Sequence, residues 1–170
     1  MDVSSEEDQL REKIAGGSQD PKDFSTLASI LYDSGRLQES IRLRREATCL
    51  PLPELARAQL LIDLGWSVAD VNDDATEAVA LGEQAIALTD GMETTEALLV
   101  RANAESEVAN CALTIDSERM TQAATSALSL FARVTSSREV LDDRTLFDCG
   151  FEVARLNYLL GRFDDAAACY

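Results

Sequence analysis

Apolar residues recur along this chain every three or four positions, in helix-length stretches parted by short clusters of Gly, Pro, Asp, Asn and Ser. That period places each stretch on one face of an amphipathic helix, and no stretch shows the strict alternation of a half-buried strand. Ser4 and Glu7 read as a capping box ahead of a short helix that Gly16-Gly17 ends. Asp20-Pro21 pairs an N-cap residue with proline at the first helical position. Phe24, Leu27, Ala28 and Leu31 then mark a buried face up to Asp33-Ser34-Gly35. Leu37, Ile41 and Ala47 continue a second stripe until Pro51 and Pro53 break it.

The same paragraph of structure recurs. The pattern predicts helices from Pro53 to about Val71 and from Ala75 to Leu88, then from Thr95 to Leu113 and from Ser117 to Val134. Turns fall at Asn72-Asp73-Asp74, Asp90-Gly91 and Asp116-Ser117. A last pair opens near Arg138, turns at Gly161 and is barely one turn into its second helix at Tyr170. Helix, short turn, helix at a spacing of roughly 40 residues is the signature of a solenoid. The expected organisation is therefore a short N-terminal helix over 1–17 and one array of helix pairs over 20–52, 53–91, 93–135 and 138–170.

Two of these pairs are specific enough to resemble a known family. Phe24, Leu27 and Ala28, then Gly35-Arg36-Leu37, then Glu39-Ser40-Ile41 resemble a tetratricopeptide repeat: a large and a small residue pack the first helix, a Gly-Arg turn follows, and a small residue opens the second helix where the two cross. Val153-Ala154, Gly161-Arg162-Phe163 and Asp165-Ala166-Ala167 repeat the pattern. Glu77-Ala78-Val79 and Ala123-Ala124 match only the second helix, without the turn glycine, and Arg44 stands where the family carries a large apolar side chain. The resemblance, over about residues 20–170, implies an all-α, right-handed superhelical solenoid of about four antiparallel helix-turn-helix repeats.

Acidic residues outnumber basic ones 31 to 15, for a net charge of −16. A phosphate backbone needs a basic footprint, so no nucleic-acid partner is expected; the acids, spread along the whole chain, read first as a solvated surface and second as a field that attracts a basic protein or peptide. No apolar run is long enough to span a bilayer, and the acidic N-terminus has no secretory core. Cys49, Cys111, Cys149 and Cys169 lie far apart and read as buried thiols of a reducing compartment, so the expected location is cytoplasmic.

Catalytic chemistry is hard to find. The chain has no histidine, which removes histidine triads, histidine acid-base chemistry and the helix-borne zinc motif together. It has no glycine-rich phosphate loop, and its only lysines are Lys13 and Lys22. Asp70, Asn72 and Asp74 imitate the start of a calcium loop, but Ala75 replaces the turn glycine and Leu81 the closing glutamate. Asp142-Asp143 and Asp164-Asp165 read as helix caps or first-turn charges. Arg42, Arg44 and Arg45 serve either an acidic partner segment or internal ion pairs, and Trp66, on an apolar stripe, reads as core.

No enzyme, cofactor or metal site is expected. The resemblance implies a concave groove lined by the first helix of each pair and holding a partner peptide or helix. The positions it implies are Ser25, Ser29 and Tyr32; Asp63, Ser67 and Asp70; Asn103, Ser106 and Asn110; Arg155 and Tyr158, all expected to be exposed. Two readings stand: an interaction or scaffold module, with self-association through an Ala167, Cys169 and Tyr170 edge, or the sensory segment of a longer enzyme or transcription regulator.

Overall fold

The computed structural model describes residues 3–72, 74–137 and 141–168. Met1, Asp2, Asp73, Arg138, Cys169, Tyr170 and the Ser4 and Asn72 side chains lie outside them, and with them the Arg138 opening and most of the expected C-terminal edge. The elements are α1 (Val3–Ala15), α2 (Pro21–Asp33), α3 (Leu37–Thr48), α4 (Glu54–Asn72), α5 (Ala75–Leu88), α6 (Thr95–Ala112), α7 (Ser117–Thr135), α8 (Asp143–Leu159) and α9 (Phe163–Ala167).

Local chemistry starts and stops them. Asp20 caps α2, its carboxylate accepting from the Lys22 amide at 2.9 Å, with Pro21 in the first turn. Asp74, Asp116 and Asp142 cap α5, α7 and α8 in the same way, each accepting an amide three residues on. So Asp74 is a helix cap, and Asp143, Asp164 and Asp165 are first-turn charges. The Glu7 carboxylate bridges Arg11 and Arg36, tying α1 to the turn between α2 and α3, while the Ser4 half of the expected capping box lies outside the described residues.

The two Gly-Arg sequences make the same turn. Gly35 and Gly161 sit at φ of 78° and 71°. The amide after each glycine reaches back across the helix end, from Arg36 to the Leu31 carbonyl at 2.9 Å and from Arg162 to the Asn157 carbonyl at 2.8 Å. Ser40 is fully buried where α2 and α3 cross, and its hydroxyl donates to the Ala28 carbonyl at 2.7 Å. A small residue there lets the helices close up, and this one also satisfies its own polar atom.

Each helix packs on the next, building a solenoid of helix-turn-helix repeats with no strand among the described residues. Its curvature follows from the contacts between alternate helices. The first helices touch in series, α2 on α4, α4 on α6 and α6 on α8, whereas the backbones of α3, α5 and α7 stay apart and are bridged by long side chains, Arg45 to Glu77 and Arg119 to Glu83. The first helices therefore lie on the inner, concave side. The core is a chain of apolar clusters, around Leu31 and Phe24, around Ile62 and Val68, and around Phe131 and Leu156. Alanines fully buried in them, such as Ala58, Ala104 and Ala127, let the helices approach closely.

Candidate functional site

Three cavities run along the concave face on α4. The central one, about 510 Å³, is walled by Ser25, Ser29 and Tyr32 of α2, Arg44 of α3, and Asp63, Trp66, Ser67 and Asp70 of α4. Its neighbour toward α8, about 250 Å³, shares Asp63 and Trp66 and adds Asn103, Asp148, Phe151 and Glu152. The third, about 490 Å³ and mostly apolar, shares Ser25 and Asp63 and reaches Pro21, Pro53 and Val100 at the N-terminal ends of α2, α4 and α6.

Trp66 corrects the sequence reading. It is not core: its indole is 40% exposed and forms a wall common to two of these cavities. The neighbouring Gly65 turns inward, where a Cβ would lie 3.4 Å from Glu107 Oε1, and the next position on the helix faces the groove. The Arg155 guanidinium lies 5.4 Å from the indole centroid. It also donates to Glu152 at 2.6 Å and to the Ser106 hydroxyl at 2.9 Å, so Ser106, Glu152 and Arg155 join α6 to α8 beside the ring.

The structure brings Ser25, Ser29, Tyr32, Asp63, Ser67 and Asp70 around one cavity and places Asn103 in the next. Two of the positions are not exposed. Ser67 and Ser106 are 5% and 1% exposed, because inner helices pack on both sides of α4 and α6 and cover the flanks of their concave faces. Asn110 is half-buried and lies outside the walls of these cavities. Tyr158 is 64% exposed near the end of α8, edge-on to Phe163 at 5.4 Å. Sequence reasoning missed Arg44, Trp66, Asp148, Phe151 and Glu152 as wall residues. The signal for Arg44 was its charge at a position where the resemblance calls for an apolar side chain.

The wall carries few strong hydrogen bonds of its own. The Tyr32 hydroxyl donates to Asp70, and the Ser29 and Ser67 hydroxyls donate back to carbonyls of their own helices. Asp63 accepts from the Gln59 amide at 3.1 Å and lies 3.8 Å from Arg44, a long separation for an ion pair. Burial holds the Asp63 carboxyl above its ordinary pKa, against the pull of Gln59 and Arg44. Arg45 pairs with Glu77 and Arg42 lies 4.0 Å from Glu46, so the arginine cluster is bound up with the chain's own acids.

Behind the groove is a second set of buried acids. Glu107 is fully buried on α6, where its Oε1 accepts the Cys111 thiol at 3.3 Å and its Oε2 has no hydrogen-bond partner among the described residues. Burial pushes the pKa of its carboxyl up to about 7, and burial beside Glu107 pushes the pKa of the Cys111 thiol up to about 12. Cys111 and Cys149 are buried as the sequence suggested, but Cys49, at the end of α3, is exposed. Among the described residues no three His, Cys, Asp or Glu side chains converge as metal ligands, and no helix is long and apolar enough to cross a membrane.

No family model matches the chain, and no curated protein matches it. Solved structures do. The crystal structure of BtubC (BKLC) from P. vanneervenii superposes with a TM-score of 0.70 at 17% identity, over 99% of this chain and 70% of that one. A crystal structure of nearly identical TPR-like repeats from Podosopora anserina superposes with a TM-score of 0.69 at 18% identity, over 98% and 81% of the two chains. The fold is tetratricopeptide-like. The crystal structure of MamA matches this TPR-like array more loosely, with a TM-score of 0.59 at 14% identity over 99% of this chain and 79% of the other. The longer helices and missing turn glycines of the middle repeats are variations within that TPR-like architecture, with aspartate caps taking over the turns.

Proposed function

We propose that this TPR-like array binds another protein, holding an extended segment or helix of it along the concave face, and performs no chemistry itself. The observation that carries the reading is the half-exposed Trp66 indole at the junction of cavities on the inner face, ringed by polar side chains. A lone tryptophan is costly to leave in water, and aromatic anchors in concave pockets supply much of the binding energy in protein interfaces. The surplus of carboxylates favours a basic partner.

The test is retention of lysate proteins on the immobilised chain beside its Trp66→Ala variant, with helicity followed by circular dichroism. Loss of an anchor of this kind costs about 2 kcal/mol or more, roughly a thirtyfold weakening. The variant is therefore expected to keep its helicity and lose the bound protein. Equal retention by both would sink the groove reading.

A second contact is favoured by the end of the array. Phe147, Phe151 and Tyr158 fall on one face of α8, with Phe163 of α9 against Tyr158, and all four are about half or more exposed. Exposed aromatic surface of this extent supports association of two copies through the α8 and α9 end.

A further inference from the structure

On α4 the residues Asp63, Trp66 and Asp70 are spaced by three and four positions and so share one helical face, which forms a wall of the central cavity. Seven residues rise about 10 Å, so the indole sits midway along a strip with a carboxylate at either end. Neither carboxylate is matched by a close cation among the described residues. Asp70 takes the Tyr32 hydroxyl, and Asp63 takes a neutral amide and faces Arg44 at 3.8 Å. Arg44 is the only cation among the described residues of the cavity wall, and its side chain is recessed, only 13% exposed. The cavity thus has two carboxylates against one guanidinium, in a protein of net charge −16. Just outside it, the Arg155 guanidinium beside the same indole shows that this ring accommodates a planar cation.

We propose that this cavity seats an arginine side chain of the bound segment, its guanidinium between Asp63 and Asp70 and its stem along the Trp66 indole. The proposal rests on the groove reading above and names what the groove recognises. A planar guanidinium can donate to two separated carboxylates while stacking on an indole, which a compact, strongly hydrated ammonium does poorly. Arginine is therefore preferred over lysine. A cation bound here also supplies the half-buried Asp63 carboxyl with the counter-charge that Arg44 provides only at a distance.

The test is selection of phage-displayed random nine-residue peptides on the full chain, followed by calorimetric titration of synthetic hits. The expected hits contain arginine, and replacing that arginine with citrulline, which keeps the shape and removes the charge, weakens binding about tenfold. Asp70→Asn weakens the arginine peptide by a similar factor and leaves the citrulline peptide nearly unchanged, which a merely structural role for Asp70 would not produce. Ser29→Phe, filling the cavity mouth, abolishes binding of both. Hits that are lost on Ser29→Phe but carry no arginine, or that tolerate citrulline, overturn the arginine seat and leave the groove reading standing. Hits indifferent to Ser29→Phe, or no hits, overturn both.

Discussion

Glu107 is a carboxyl group closed in between α4 and α6, with one oxygen on a thiol and the other without a hydrogen-bond partner among the described residues. The charged groups that bear on it are Arg155, which favours its ionised form, and Glu152, which opposes it, but loss of water outweighs both. Its folded pKa, about 7, lies above the ordinary 4.5, so between those values the folded chain holds a proton that the unfolded chain has lost. Stability contributed by this residue therefore falls as pH rises from about 4.5 and stays low above about 7, by about 3 kcal/mol in all. Glu107→Gln removes that fall at the cost of burying an amide with too few acceptors, about 1 kcal/mol. The variant is expected to be the less stable form near pH 5 and the more stable near pH 8. Urea midpoints of the two proteins across that range decide it, and curves that stay parallel would show that Glu107 is ionised throughout. Nothing in the sequence distinguished this glutamate from its neighbours on α6. A buried acid and an exposed one are written alike, and only the packing of α4 and α5 over that face separates them.

At the level of helices and turns, legibility depended on whether a signal was local. Capping aspartates and Gly-Arg turns declare themselves within a few residues, and the bounds of α5, α6 and α7 fall within a residue of those the pattern predicts. The orientation of α4 did not declare itself. Leu60, Leu61, Ile62 and Leu64 are all buried, so its apolar stripe runs nearly all round the helix and periodicity could not tell which way Trp66 points. Gly82 was equally silent. On α5 it lies so close to α6 that a Cβ would stand 2.6 Å from Val108 Cγ2, inside any real contact. Gly82→Ala is expected to destabilise the array by about 1–3 kcal/mol through overpacking, although alanine is the better helix former. Val108→Ala introduced on top of it should return part of that loss, a coupling that a double-mutant cycle on denaturant midpoints measures. Strict additivity of the two changes would mean that the helices simply move apart.

At the scale of the whole molecule, the two proposed contacts respond oppositely to salt. An arginine-bearing partner is drawn by a net charge of −16, so its binding to the groove weakens as salt screens the attraction. Two copies meeting through Phe147, Phe151, Tyr158 and Phe163 repel each other, so their association strengthens over the same range. Sedimentation equilibrium at low and high salt, with Phe147→Glu as the control, is expected to show dimer growing with salt in the parent and staying absent in the variant. A parent that remains monomeric at every salt concentration refutes the pairing. The overall solenoid was readable because a repeat announces itself several times, whereas the groove wall draws on α2, α3, α4, α6 and α8 and has no signature in any one of them. The inner helices form a continuous seam, and the outer ones, α3, α5 and α7, keep their backbones apart, joined by surface ion pairs, Arg45 to Glu77 and Arg119 to Glu83, that yield easily. Stretching such an object means breaking the seam, but bending it only widens or narrows the outer gaps, so its softest deformation is a change of curvature. An array of this kind bends as a leaf spring whose bow sets the width of the groove, so the proposed bound segment would be gripped by the elasticity of the entire stack.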